Sequence, residues 1–270
     1  MTDAGPVIVV RDLVVSYNGR RVLDGINLEV FRGETLVLLG GSGSGKSTLL
    51  RQIIGLERPE SGQVLINGVD LSSSKPRDLK AVRRSIGVAF QNGALFNSLS
   101  LEDNIALPLR EHTRLAESTI RLMTWMKLAV VGLGDFGRLS PQALSGGMRK
   151  RAAVARALSL DPEILVFDEP SAGLDPIVAA ELDELILALK RAFNMTIVVV
   201  THEIASAFRI ADRMAMLYNG SLIATGSKEE MKANTHPRIR QFFDRVPDRI
   251  ADTAAIDKYF ERYLAGVIHE

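Results

Sequence analysis

Nine consecutive residues constrain the fold of this chain more than any others: Gly40-Gly41-Ser42-Gly43-Ser44-Gly45-Lys46-Ser47-Thr48. The apolar run Thr-Leu-Val-Leu-Leu at 35–39 leads into them, and a helix-like run at 48–54 leads out. Strand, glycine loop and helix in that order fit the pattern G-x4-G-K-[ST], with Gly40, Gly45, Lys46 and Ser47 in its fixed places. Glycines let the backbone curl so that successive N–H groups converge on one anion. The helix start adds its own unpaired N–H groups and the positive end of its dipole. The run from Gly40 to Thr48 therefore reads as a cradle for the phosphates of a nucleotide. Lys46 sets a cation on the β- and γ-phosphates, and Ser47 offers a hydroxyl to Mg2+. A plain flexible Gly/Ser turn is the alternative, and it requires neither the strand before nor the helix after.

A second apolar run, Ile-Leu-Val-Phe at 164–167, ends in Asp168-Glu169-Pro170. In a P-loop fold this puts Asp168 on the Mg2+ shell. Glu169, one residue on, points elsewhere and is placed to polarise an attacking water as general base. Acids at strand ends are often just solvated; the glycine loop upstream is what gives this pair its meaning. Leu144-Ser145-Gly146-Gly147-Met148 precedes a helix-like run at 149–158, a further serine-glycine turn that opens a helix. It repeats the anion-binding logic of the first loop, against the plainer reading of a capped helix start.

The bulk numbers mostly exclude. The chain has 270 residues, room for one large domain or two small ones. Its 46% hydrophobic content suits an ordinary globular core. A net charge of +1 carries no global nucleic-acid footprint. With no cysteine, disulfides, cysteine-type zinc sites and thiol catalysis are ruled out. The start, Met-Thr-Asp-Ala-Gly-Pro, does not read as a secretory signal. No apolar run approaches the roughly 18 residues that span a bilayer, so work at a membrane would go through a partner.

Along the chain, residues 7–17 and 21–31 alternate apolar and polar around Asn18-Gly19, a hairpin with Tyr17 at its tip. Residues 59–70 read as a turn and a short strand pair around Asn67-Gly68, and 85–90 as a buried strand ending at Gln91. Helical spacing governs 101–107 and 115–130. Residues 164–167 and 196–200 read as strands, with an amphipathic helix between them marked by Ile177, Leu182, Leu185, Ile186, Leu189 and Phe193. Strands alternating with helices predict an α/β fold, its core sheet mostly parallel. An antiparallel β-subdomain stands at the N-terminus, and a helical subdomain is inserted. The expected division is a nucleotide-binding core at 1–91 and 140–227, the helical insertion at 92–139, and a helical extension at 228–270.

Taken in order, Tyr17, the P-loop, Gln91, Leu144-Ser145-Gly146-Gly147, Asp168-Glu169, Ser171-Ala172-Gly173-Leu174-Asp175 and His202 resemble the nucleotide-binding subunit of ABC transporters over about residues 7–227. The resemblance implies the P-loop NTPase fold of that family and hydrolysis of ATP with Mg2+. It implies a head-to-tail homodimer, ATP lying between the P-loop of one copy and the Ser145, Gly146, Gly147 turn of the other. Tyr17 would stack on adenine. Gln91 would join Ser47 and Asp168 around Mg2+ and link the site to a transport partner. Asp175 would lie at the dimer seam. His202, otherwise a lone polar residue after a strand, would hydrogen-bond the γ-phosphate beside the catalytic Glu169 and Lys46. One position departs from the family: its signature turn usually ends in Gln, and here it is Met148. That predicts ATP still sandwiched between copies, with altered affinity or coupling.

The stretches 90–100, 144–153 and 168–177 are similar to the ATPase of MCE-type lipid transporters, the Mla system of Gram-negative inner membranes. This implies phospholipid as substrate class and a peripheral place on the cytoplasmic face of the inner membrane. The implied partners are an integral permease, an MCE-domain lipid-binding subunit and a small STAS-domain subunit, with no nucleic acid. The alternative is the ATPase of an importer for a polar small solute. In the tail, Ile256, Tyr259, Phe260, Tyr263, Leu264 and Val267 form one apolar helical stripe. It reads either as a helix docked on its own domain or as a clasp on a neighbouring subunit.

Overall fold

The computed structural model describes residues 5–247 and, in the tail, Lys258, Phe260, Glu261, Tyr263 and Leu264. The chain divides after Ala233 into two compact units.

In the first unit, β1 (Pro6–Tyr17) and β2 (Arg20–Phe31) pair antiparallel. Asn18 and Gly19 make the turn with φ of 50° and 76°, the positive pair that a tight hairpin of matching twist needs. β3 (Thr35–Leu39), α1 (Lys46–Ile53), β4 (Ser61–Ile66) and β5 (Val69–Asp70) follow. The antiparallel sheet has the order β2-β1-β4-β5. Next come α2 (Pro76–Arg84), β6 (Ile86–Ala89), α3 (Leu101–His112), α4 (Glu117–Val130) and α5 (Gly146–Ala157). The unit closes with β7 (Ile164–Asp168), α6 (Pro176–Phe193), β8 (Thr196–Val200), α7 (Ile204–Ile210), β9 (Arg213–Tyr218), β10 (Ser221–Ser227) and α8 (Lys228–Ala233).

The central sheet runs β10-β9-β3-β8-β7-β6, parallel except for β10. Every residue of β3 and β8 is buried, as expected of strands covered on both faces. Leu36, Leu38, Ile164, Val166, Val198 and Val200 share one core cluster with α1 and the antiparallel sheet. Because side chains alternate across a strand, Val37, Leu165, Phe167, Ile197 and Val199 point to the opposite face, and all are fully buried. On α1, Leu49, Leu50 and Ile53 are at most 2% exposed. Burying each contributes about 1.5–3 kcal/mol, and together they seat the helix between the two sheets.

Helices α3 and α4 pack on each other through Ala106, Leu109 and Ile120. The segment entering α3 is held by Asn104, wholly buried. Its amide donates to Phe96 O at 3.0 Å and Ser100 O at 2.9 Å and accepts from Phe96 N at 2.8 Å.

The strand expected at 196–200 is present as β8, and two further strands follow it in the chain. β9 pairs with β3 on the side away from β8, and β10 closes that edge. In the second unit α9 (Pro237–Phe243) is capped by His236, whose Nδ1 accepts from Arg238 N. Of the tail stripe, Phe260, Tyr263 and Leu264 are helical and exposed. Ile256, Tyr259 and Val267 lie outside the described residues.

Candidate nucleotide site

The loop after β3 keeps its shape through two glycines. Gly40 has φ +152°, and a Cβ there would run into Leu217 O and stand 2.6 Å from Ser44 Oγ. Gly45 caps α1 with φ +106°, and its Cβ would meet Leu23 Cδ2 at 2.6 Å. Side chains at either position would push the loop off the sheet. Gly41, between them, faces open space. Among the described residues no side chain caps α1, and no acid stands in its first turn, which leaves the N–H groups of that turn open to an anion.

Lys46 is only 8% exposed. Its ammonium is tethered within the loop, Nζ donating to Gly40 O at 2.8 Å and Gly41 O at 3.0 Å. Burial pushes this lysine down from its ordinary pKa, while Glu169 and Asp168 oppose the shift. Ser44 Oγ is buried with no hydrogen-bond partner among the described residues.

Sheet register carries the rest of the site. Leu38 pairs with Val200, Val200 with Asp168, and Phe167 with Ala89. Four parallel strand ends thus lie side by side: the P-loop after β3, His202 after β8, Asp168-Glu169 at β7, and Gln91 after β6. This is the carboxyl edge at which open α/β sheets bind ligands. Glu169 has φ +48°; its N–H donates to Val200 O at 2.8 Å. Its Oε2 stands 2.8 Å from His202 Nδ1 and accepts from His202 N at 3.4 Å. Asp168 Oδ1 is buried with no hydrogen-bond partner among the described residues. Burial, then the neighbouring Glu169, raises its pKa, against the cations Arg51, Lys46 and Lys150.

Leaving a buried polar atom unsatisfied costs about 1–3 kcal/mol, and more where the group is charged. A hard oxygen donor beside a phosphate cradle suits Mg2+, so Asp168 and the loop fit both that ion and a nucleoside triphosphate. Tyr17, half-exposed at the hairpin tip, donates its hydroxyl to Glu57, and Arg51 on α1 reaches Glu57 at 3.5 Å. Burial, then the Glu57 bond, raises the phenol pKa.

The Ser145 turn and Asp175 form a separate group. Ser145 Oγ accepts from Met148 N at 3.2 Å and caps α5. Gly147 is pressed on Val178, where a Cβ would come within 2.5 Å of Cγ1, and Gly146 faces Leu174. Asp175 caps α6, one carboxylate oxygen accepting from Ile177 N and Val178 N, each at 3.1 Å. Within one chain this group packs on itself.

Sequence reasoning passed over Lys150, which donates from α5 to Gln91 O at 2.6 Å and Glu169 O at 3.0 Å. The signal was available: Arg149-Lys150-Arg151 sits in the first turns of a helix, the end where the dipole disfavours cations.

A glycine cradle, a tethered lysine and an acid pair on one edge of a parallel sheet define a P-loop nucleotide-binding cassette. The profile of the ABC transporter family matches residues 23–172. The chain belongs to the ABC transporter family, as one of its ATP-binding, ATP-hydrolysing cassettes. It is 40% identical over 242 residues to the intermembrane phospholipid transport system ATP-binding protein MlaF of Escherichia coli K12, covering 90% of each chain. It is 45% identical over 240 residues to the probable ribonucleotide transport ATP-binding protein mkl of Mycobacterium tuberculosis H37Rv, covering 89% of this chain and 67% of that one. Among solved structures it is similar to the dimeric ATP-binding cassette MJ0796 in a post-hydrolysis state bound to ADP and Pi. That likeness has a TM-score of 0.76 and 30% identity, over 82% of this chain and 98% of the other. Among the described residues no helix is long and apolar enough to cross a membrane.

Proposed function

We propose that this cassette hydrolyses ATP to power phospholipid transport between two membranes, as a head-to-tail pair of copies seated under an integral permease. The observation that carries the chemistry is the shared strand edge, where the tethered Lys46, Asp168 with its buried Oδ1, and the Glu169–His202 pair stand beside one glycine cradle.

In this reading the triphosphate takes the place of the loop carbonyls around the Lys46 ammonium, and the backbone N–H groups of residues 40–48 hold its oxygens. Tyr17 stacks on the base. Ser47, Gln91 and Asp168 hold Mg2+, which when bound neutralises charge on the phosphate oxygens. Glu169 orients a water and takes its proton as the water oxygen attacks the γ-phosphorus, with ADP leaving. His202 keeps that carboxylate aimed and donates to the γ-phosphate. The Ser145-Gly146-Gly147 turn has its helix N-terminus turned to a second copy's ATP, and Asp175 lies on that seam. Binding glues two copies together and hydrolysis releases them; the difference drives the permease. The helical lobe at 92–139 and the Gln91 turn form its seat.

The finer assignment is the Mla-type system. It places the cassette on the cytoplasmic face of the inner membrane, beside an MCE-domain lipid-binding subunit and a small STAS-domain subunit. The MlaF relative aligns along nine-tenths of both chains, which favours lipid cargo. The mkl relative, named for ribonucleotide transport, keeps a polar cargo in contention. The test is the membrane complex purified with this subunit and placed in vesicles of phosphatidylethanolamine and phosphatidylglycerol. ATP-dependent movement of a fluorescent phospholipid is expected, lost in Glu169→Gln. Movement of labelled nucleotide with no lipid movement would replace lipid by polar cargo. Undiminished ATP hydrolysis in Glu169→Gln would remove Glu169 as the base.

A further inference from the structure

Lys150 is anchored in α5, whose first turn is the Ser145-Gly146-Gly147 turn. Its half-buried side chain leaves the helix and ends between two strand-end turns. Nζ donates 2.6 Å to the carbonyl of Gln91, beyond β6, and 3.0 Å to the carbonyl of Glu169, beyond β7. Those strands are neighbours, Ala89 opposite Phe167, so one ammonium bridges them at the site edge. Asp168 and Glu169 are close enough for their charge to favour that ammonium against its burial.

The Glu169 backbone needs such a partner. Its φ of +48° is left-handed, a conformation that persists for a glutamate only where the surroundings hold it. Val200 O holds its N–H at 2.8 Å. Its carbonyl is held by Ala172 N at 3.3 Å and by the shorter bond from Lys150. The carboxylate presented from this backbone meets His202 at 2.8 Å. The bond to Gln91 O ties the same cation to the loop that Asn104 anchors to α3 a few residues on.

We propose that Lys150 is a positioning residue for hydrolysis: it locks the Glu169 and Gln91 turns to α5. Displacement of either the serine-glycine turn or the Gln91 loop then shifts the Glu169 carboxylate against the nucleotide. The Lys150 ammonium is bonded to backbone carbonyls. The proposal rests on Glu169 being the base.

The experiment uses the intact membrane complex and ATP. Lys150→Met keeps the length and removes charge and donors; Lys150→Arg keeps both. Lys150→Gln serves as a shorter neutral donor should the methionine variant not assemble. Expected for Lys150→Met is a fall in kcat of about 10- to 100-fold, the scale set by small misplacements of a catalytic group. KM for ATP and the thermal midpoint should stay near wild type, and Lys150→Arg should recover much of the rate. A kcat unchanged in Lys150→Met overturns the proposal. So does a loss that tracks the thermal midpoint and that arginine leaves unrescued, which would make Lys150 a packing residue. Glu169→Gln in the same complex separates the two readings. If it is inactive while Lys150→Met is unimpaired, only the latch fails; if it retains full rate, the base assignment fails and the latch with it.

Discussion

The Glu169 carboxylate and the His202 imidazole stand 2.8 Å apart across 33 residues of sequence. The contact exists because β7 and β8 are adjacent and parallel, with Asp168 opposite Val200. Glu169 also accepts from the His202 backbone N–H at 3.4 Å, so the pairing fixes both ring and chain. A base oriented by a second side chain spends less of the barrier on finding its geometry.

From this pair, His202→Ala should lower kcat for ATP about 10²-fold, the scale seen when one donor to a developing charge is removed. ATP binding should persist. Phosphate release at saturating ATP, alongside equilibrium binding of a fluorescent ATP analogue, measures both. A full-rate variant would take His202 out of the machinery.

The two ends of the P-loop should respond differently from its middle. Gly45→Ala combines φ +106° with a Cβ 2.6 Å from Leu23 Cδ2, and should cost about 1–3 kcal/mol of stability together with nucleotide binding. Gly41→Ala meets nothing within 4 Å and should leave stability within about 0.5 kcal/mol. Denaturant midpoints of the two variants make the comparison, and equal losses would contradict the steric account.

Phe167 is a large side chain with no exposed surface, one residue before the acid pair. Phe167→Ala should destabilise by about 3–5 kcal/mol and loosen the strand end that carries Asp168. Chemical denaturation followed by circular dichroism reads the first effect. A loss under 1 kcal/mol would mean that the site-facing half of the sheet repacks freely.

Asp183 on α6 is 4% exposed and its carboxylate accepts from Ser206 Oγ at 2.5 Å. Burial raises its pKa above 3.8. The folded chain therefore holds this proton more tightly than the unfolded chain. Asp183 favours folding most at acid pH, and that contribution is lost as pH rises from about the usual carboxylate value through the raised one. Asp183→Asn keeps an acceptor for Ser206 and abolishes the titration. It should be more stable than the parent at neutral pH, the advantage shrinking toward acid. Thermal midpoints across that pH range check the sign; an advantage that grew toward acid would contradict it.

Much of the fold was legible in local pattern. The hairpin around Asn18-Gly19, the loop at 40–48 and the buried strands β7 and β8 announce themselves because turn chemistry and continuous apolar runs act over a few residues. Helix α2 did not, since in its 9 residues only Leu79 and Val82 meet the core and Val82 alone is buried, a stripe too short to stand out. Helix α7, at 7 residues, is too short for periodicity to speak. β9 reads Arg-Met-Ala-Met-Leu-Tyr, with no β-branched residue and one aromatic, and it is a strand because β3 and β10 flank it.

What the sequence determined unaided was the inventory: a phosphate-binding loop, an acid pair, serine-glycine and histidine turns, each fixed by backbone freedom and side-chain chemistry inside a short window. Only tertiary structure decided their company. The order β3-β8-β7-β6 sets Lys46, His202, Asp168-Glu169 and Gln91 on one edge, and it brings Lys150 beneath two of those turns. Strand order and register are chosen by which apolar faces bury one another across the whole chain, a non-local balance that no single stretch of residues records.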